Sequence, residues 1–105
     1  MNEKQLQLLN KMKKLVRSGH CRFLQRADRD YLSDIAEIGI TVDEAWKIIL
    51  QLNRNFYHAD SMPTYRQSKD SLIFIRKINL KDVYIKLILE QNDEGEEVVC
   101  WSFHL

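Results

Sequence analysis

Four side chains in the last third of the sequence could together act on a phosphate group: Arg76, Tyr84, Lys86 and His104. An imidazole ordinarily exchanges its proton near neutral pH, so His104 could serve as a general acid or a general base. Lys86 and Arg76 would supply positive charge, and Tyr84 could position a phosphate or stack on a base. This set would suit RNA cleavage by a 2′-hydroxyl, which needs two proton transfers and stabilisation of a dianionic transition state.

The alternation of side chains along β-strands predicts which of these groups share a sheet face. Each of the last two predicted strands has an apolar set that we expect to face the core: Val83, Ile85, Leu87 and Leu89 in one, Val99, Trp101 and Phe103 in the other. The opposite face then places Tyr84 and Lys86 beside Ser102 and His104, with the numbers of paired residues summing to about 186–188.

The strand before these two carries Arg76. Ile73 and Ile75 suit the core, which would leave Arg76 on the open face with Leu72 and Phe74. A half-exposed sheet also carries polar residues that do no chemistry, so periodicity alone leaves that simpler interpretation open. The open set contains no carboxylate and one imidazole, which argues against a glycosidase and against a metal site, and no cofactor is indicated.

Further candidate residues lie in the first 60 positions. His58 follows Phe56-Tyr57 where the chain leaves the third predicted helix. The net charge is only +1, yet residues 1–30 carry eight Lys and Arg against three acidic residues. Lys11, Lys14 and Arg17 belong to this excess and could attract RNA at long range, or they could simply form the solvated face of a helix.

The first half of the sequence has helical periodicity and the second half has strand periodicity. The apolar spacing predicts helices over about 3–17, 27–38 and 41–52. Gly19 and Gly39 end the first two, and the Thr41-x-x-Glu44 spacing is typical of a capping box. Runs of β-branched and aromatic residues predict strands at about 72–76, 83–89 and 98–104, with a turn at 91–96 and a long loop at 58–70. We therefore expect an α+β fold in which N-terminal helices pack on one face of a C-terminal antiparallel β-sheet.

Length and composition limit the class of protein. The chain has 105 residues, 45% hydrophobic and 30% charged, which predicts one globular domain over 1–105. No apolar run reaches the length of a membrane helix, and the N-terminus is amphipathic, so we expect a soluble cytoplasmic protein without membrane contact. Cys21 and Cys100 are far apart and are expected to be reduced thiols.

The chain resembles a known toxin family over about residues 11–105. The resemblance lies in five ordered segments: Lys13-Lys14-Leu15-Val16, Ala36-Glu37-Ile38-Gly39-Ile40, Asn55-Phe56-Tyr57, Val83-Tyr84-Ile85-Lys86-Leu87 and Ser102-Phe103-His104. This order is similar to that of MqsR-like toxins, the mRNA-cleaving toxins of type II toxin–antitoxin systems, which are related in fold to RelE-like ribonucleases.

The resemblance implies roles for particular residues. Tyr84 matches an active-site tyrosine of the family, Lys86 the lysine two positions on, and His104 the histidine of a terminal Ser-Phe-His. His58 falls where one branch has a lysine after Phe-Tyr, whereas Arg76 has no family counterpart and rests on the predicted sheet face alone.

The resemblance also implies an activity and a partner. The expected activity is a metal-independent endoribonuclease acting on mRNA, on or off the ribosome. The expected partner is a cognate antitoxin with a helix-turn-helix DNA-binding domain. The alternative is a non-catalytic module, from a phage or its host, that binds RNA or protein on the same fold.

Overall fold

The computed structural model describes residues 1–58 and 70–105. Over these residues the fold is a four-stranded sheet with three helices packed on one of its faces. The elements in chain order are α1 (Glu3–Arg17), β1 (Cys21–Phe23), α2 (Tyr31–Ile38), α3 (Val42–Leu50), a 3-10 turn (Arg54–Phe56), β2 (Ser71–Ile78), β3 (Lys81–Asn92) and β4 (Gly95–His104). The strand order is β1-β4-β3-β2, with β2, β3 and β4 antiparallel. The predicted α+β class is confirmed, and none of the helices described is long and apolar enough to cross a membrane.

The helix termini follow local capping chemistry. The Thr41–Glu44 capping box is present, with the Thr41 hydroxyl accepting from the Glu44 N–H at 3.1 Å and the Glu44 carboxylate accepting from the Thr41 N–H at 3.0 Å. The second helix begins four residues later than predicted, because Asp30 takes the N-cap position and its side chain accepts from the N–H of Leu32. Most of the predicted loop 58–70 lies outside the described residues.

The strand β1 was not predicted as part of the sheet. It pairs in parallel with β4, Phe23 opposite Cys100 and Arg22 opposite Val99. The Phe23 ring packs among the helices, with its centroid 5.1 Å from that of Tyr31 and 4.5 Å from that of Trp46. Since neighbouring strand residues point to opposite faces, Arg22 is turned away from the helices.

The sheet buries one face against α1, α2 and α3. The residues of this core come from all three helices and from alternate positions of the strands, among them Met12, Ile35, Ile49, Leu72, Phe74, Val83, Ile85, Leu87, Leu89, Val98, Cys100 and Phe103. Burying each large apolar side chain contributes roughly 1.5–3 kcal/mol. The prediction is confirmed for the β3 set and for Phe103.

A β-bulge in β4 changes the predicted facing of two residues. Lys86 pairs with Ser102, but the next residue, Leu87, pairs with Cys100, so Trp101 is an additional residue in β4. Val98 and Cys100 therefore face the helices, and the expectation that Val99 and Trp101 would do so is wrong, since Val99 is buried on the other face of the sheet. The error has a simple cause, because an alternation of period two assumes an uninterrupted strand.

The facing predicted for β2 is also wrong. Leu72 pairs with Leu87 and Phe74 with Ile85, so Leu72 and Phe74 face the helices, while Ile73 and Ile75 face the other way. Both alternating sets of this strand are apolar, so alternation could not decide between them. Arg76 shares the parity of Phe74 and lies on the helix side.

Candidate active site

Tyr84, Lys86, Ser102 and His104 come together on the sheet face turned away from the helices, which we call the outer face. Tyr84 pairs with His104 and Lys86 with Ser102 across neighbouring antiparallel strands, within the predicted register. The Tyr84 and His104 rings stack with centroids 5.5 Å apart and planes at 25°. The phenol, the ammonium and the imidazole are thus neighbours on a rigid sheet, as the sequence predicted.

The hydrogen bond of His104 determines which of its ring nitrogens is available. Nδ1 lies 2.9 Å from the main-chain oxygen of Leu105, and that oxygen can only accept. In the neutral ring Nδ1 therefore carries the hydrogen, which leaves the lone pair on Nε2. Nε2 has no partner among the residues described, so it is the nitrogen that could take a proton from a substrate.

Partial burial changes the proton affinity of both β3 side chains. Burial raises the pKa of the Tyr84 hydroxyl, which keeps the phenol protonated and able to donate a hydrogen bond. Burial lowers the pKa of Lys86, and the positive charge of Arg26 lowers it further. The Lys86 ammonium lies over the Trp101 ring, with Nζ 5.6 Å from the ring centroid.

Arg26 is a site residue that the sequence analysis did not identify. It lies in the connection between β1 and α2, just after the Leu24 N–H donates to the Cys100 carbonyl at 3.0 Å. Its Nε is 3.3 Å from Asp28 Oδ1. Because Arg26 belongs to no helix or strand, periodicity could not place it. Its one sequence signal was the concentration of arginines between β1 and α2.

Two carboxylates of the outer face, Glu90 and Glu97, are paired with Arg22 at the far end of the sheet, and a third, Asp82, lies opposite Lys77 at the near end. Arg22 Nε lies 2.9 Å from Glu97 Oε1, and its Nη2 lies 3.3 Å from Glu90 Oε2. Glu90 is four residues from Lys86 along β3, roughly 13 Å at strand spacing. Neither Glu90 nor Glu97 forms an ion pair with Lys86.

Arg76 does not belong to this site, and its predicted place on the open face is wrong. Its Nη1 donates to the Ile48 carbonyl at 3.4 Å, its Nη2 donates to Gln51 Oε1 at 3.2 Å, and its guanidinium lies 4.9 Å from the Phe56 ring centroid. These are contacts of the helix side, near the C-terminus of α3, where a cation is favourable. Arg76 therefore joins β2 to the end of α3 and to the 3-10 turn on the helix side of the sheet.

His58 lies at the edge of the outer face. Its N–H donates to the Ile73 carbonyl at 2.9 Å, next to the bridge that pairs Tyr57 with Phe74. Tyr57 packs on the helix side against Phe74, so alternation turns the exposed His58 toward the outer face. Ile73 separates it from Lys86, which gives roughly 10 Å between their backbones at two strand spacings.

The predicted cations of α1 lie on the other side of the sheet. Lys11 Nζ forms an ion pair with Glu96 Oε2 at 2.8 Å, and Lys14 and Arg17 are exposed near the end of the helix. Since α1 packs on the helix side, these residues cannot touch a phosphate bound at Lys86. They could act only at long range, as the sequence analysis allowed.

The remaining polar groups of the described residues do not form a metal centre. Among the described residues, no three His, Cys, Asp or Glu side chains lie close enough to hold a metal ion. Both cysteines are free thiols, and burial raises the pKa of each. Cys100 is fully enclosed in the core, where its Sγ lies 3.3 Å from the Ser102 carbonyl.

Comparison with known proteins gives one match that spans nearly the whole chain. No curated protein matches the sequence. The family described as the motility quorum-sensing regulator, toxin of MqsA, matches residues 5–104, a range that includes Arg26, His58, Tyr84, Lys86 and His104. The chain therefore belongs to the MqsR toxin family.

Proposed function

We propose that this toxin is a metal-independent endoribonuclease that cleaves mRNA by attack of a 2′-hydroxyl on the adjacent phosphate. Membership of the MqsR toxin family makes the chain a toxin of a toxin–antitoxin system. The observation that supports the ribonuclease is the joint position of Tyr84, Lys86 and His104 on one face, with Glu90 and Glu97 of that face paired with Arg22. Such a face attracts a phosphodiester and provides a base beside it.

Each residue has a role in the proposed reaction. His104 Nε2 takes the proton of the 2′-hydroxyl as the new bond to phosphorus forms. Lys86 and Arg26 stabilise the two negative charges of the transition state, and the Tyr84 hydroxyl donates a hydrogen bond to a phosphate oxygen. We assign the proton for the leaving 5′-oxygen to His58, since it is the other imidazole that the described residues bring to this face.

The chemistry predicts particular products. Attack by the 2′-hydroxyl leaves a 2′,3′-cyclic phosphate on one fragment and a 5′-hydroxyl on the other. An oligonucleotide with a single 2′-deoxy nucleotide at the cleaved position should therefore bind without being cut. Since no metal takes part, an excess of EDTA should leave the rate unchanged.

The test uses purified toxin, a labelled RNA and its 2′-deoxy analogue, with and without ribosomes. His20→Ala is a matched control, because His20 is an exposed histidine that follows α1, away from the paired Tyr84 and His104. The proposal predicts loss of cleavage in His104→Ala but not in His20→Ala. Cleavage of the 2′-deoxy analogue, or a requirement for a divalent metal, would contradict the mechanism. A wild type that binds RNA and never cuts it would favour the binding module instead.

The proposed partner and site of action follow from the same assignment. The family is described as the toxin of MqsA, so we propose a cognate antitoxin of the MqsA kind with a helix-turn-helix DNA-binding domain. Action on mRNA would take place in the cytoplasm. Co-expression of the antitoxin should restore growth that the toxin alone arrests, and growth arrest that persists despite a bound antitoxin would contradict neutralisation.

A further inference from the structure

Trp101 occupies a position in β4 that an ordinary strand would not contain. It is the additional residue of the bulge opposite the Lys86–Leu87 step, and its ring lies on the side of Lys86. Bulges often redirect a side chain beside an active site. Here the redirected side chain is an aromatic ring in contact with the ammonium of the candidate site.

The indole is costly to keep at this position. Its Nε1–H is buried and has no hydrogen-bond partner among the described residues. A buried donor without an acceptor opposes folding, so the N–H does not explain the presence of tryptophan. The face of the ring, which contacts the Lys86 ammonium, is the part of the side chain that makes a favourable polar interaction.

An aromatic ring holds a cation differently from a carboxylate. The ring attracts the ammonium through its quadrupole and carries no net charge, so the full positive charge stays available to a bound phosphate. Lys86 forms no ion pair within residues 1–58 and 70–105, where Glu90 and Glu97 are paired with Arg22 and Asp28 with Arg26. The ring thus contacts the lysine without neutralising it.

We propose that Trp101 is a positioning residue that fixes the Lys86 ammonium over the phosphate of the RNA substrate. This inference rests on the proposed ribonuclease activity and adds to it the group that orders the Lys86 side chain. A flexible lysine would lose side-chain entropy each time it met the transition state, and the ring removes part of that loss in advance.

The test is a double-mutant cycle between Trp101 and Lys86. Trp101→Leu removes the ring, and the strength of a cation–π contact predicts a fall in kcat of roughly 3- to 30-fold. Trp101→Phe keeps an aromatic face without the N–H and should recover most of that loss. In the Lys86→Ala background Trp101→Leu should have little further effect, because the ring acts through the lysine.

A second measurement does not depend on cleavage. The ε-CH₂ protons of Lys86 should be shifted upfield in the NMR spectrum by the ring current of Trp101, and Trp101→Leu should abolish that shift. An unchanged Lys86 resonance, or an equal fall in kcat in the Lys86→Ala background, would overturn the inference while leaving the ribonuclease intact. A wild type that binds RNA without cutting it would overturn both.

Discussion

Replacing Lys86 should reduce the chemical step of RNA cleavage, whereas replacing a cation of α1 should reduce only association. Lys86 lies on the outer face beside Tyr84 and His104, and Lys14 is an exposed lysine on the helix side. The two substitutions to alanine each remove one positive charge. They form a matched pair that differs in where the charge lies relative to the proposed phosphate site.

The size of the Lys86 effect follows from Coulomb's law. The transition state carries about one more negative charge than the ground state, and a unit charge about 4 Å away interacts with it by about 4 kcal/mol at an effective dielectric constant near 20. The side chain is only half-buried, so screening by water reduces this to about 2–3 kcal/mol. Lys86→Ala should therefore lower kcat by about 30- to 150-fold.

Single-turnover cleavage at saturating toxin separates the two variants. Lys86→Ala should bind RNA and cleave it slowly, while Lys14→Ala should cleave at the wild-type rate once bound. Lys14→Ala should also flatten the dependence of log K on log salt by up to about 0.7, the value of one contact to a single strand. The reasoning would be refuted if Lys86→Ala lost only affinity and cleaved at the wild-type rate when saturated.

Three further expectations concern titrating groups. His104→Ala should slow cleavage by about 10²- to 10⁴-fold in a fixed-time RNA assay, and wild-type cleavage by a folded variant would remove His104 from the mechanism. Because burial lowers the pKa of Lys86, activity should fall on the alkaline side as Lys86 loses its proton, below pH 10.5. Lys86→Arg should move that limb to higher pH, and an unmoved limb would assign it to another group. A thiol reagent should label half-buried Cys21 in the native protein but Cys100 only after unfolding, so equal labelling of both would contradict the buried position of Cys100.

Features of the fold that are determined by residues close together in the sequence could be predicted. The capping box at Thr41 and the left-handed Gly39 act within a few residues, and the structure has both where the sequence placed them. The start of α2 was misplaced because Asp30 competes for the N-cap with positions that the apolar pattern alone favoured. Local chemistry thus outweighed periodicity at that terminus.

The parts that depend on distant pairing could not be predicted. Arg26 reaches the site because a three-residue strand, Cys21–Phe23, joins β4 in parallel, and three residues carry no usable periodicity. Arg76 was assigned to the wrong face because both alternating sets of β2 are apolar. In both cases the contacts that determine the position, Phe23 opposite Cys100 and Arg76 with Ile48, join residues more than 20 positions apart in the chain.

The bulge at Trp101 explains why the chemistry of the outer face could nevertheless be predicted. The two-residue turn pairs Asn92 with Gly95, and in an uninterrupted hairpin this register would place Tyr84 opposite Phe103. Phe103 would then lie on the outer face, and the His104 imidazole would point into the core. One additional residue at Trp101 shifts the pairing, so that Tyr84 meets His104.

The same residue therefore has three consequences for the site. It returns Phe103 to the core, where its burial stabilises the sheet, and it turns His104 toward the substrate side. It also places its own ring against Lys86. Alternation applied separately to Val83–Leu87 and to Ser102–His104 gave the right faces because β3 has no additional residue and Ser102–His104 lies wholly on one side of the bulge in β4. It failed for Val99 and Trp101 because the alternation was continued along β4 through the bulge. The prediction therefore fails at Trp101, the same residue whose insertion sets the facing of His104 in the proposed active site.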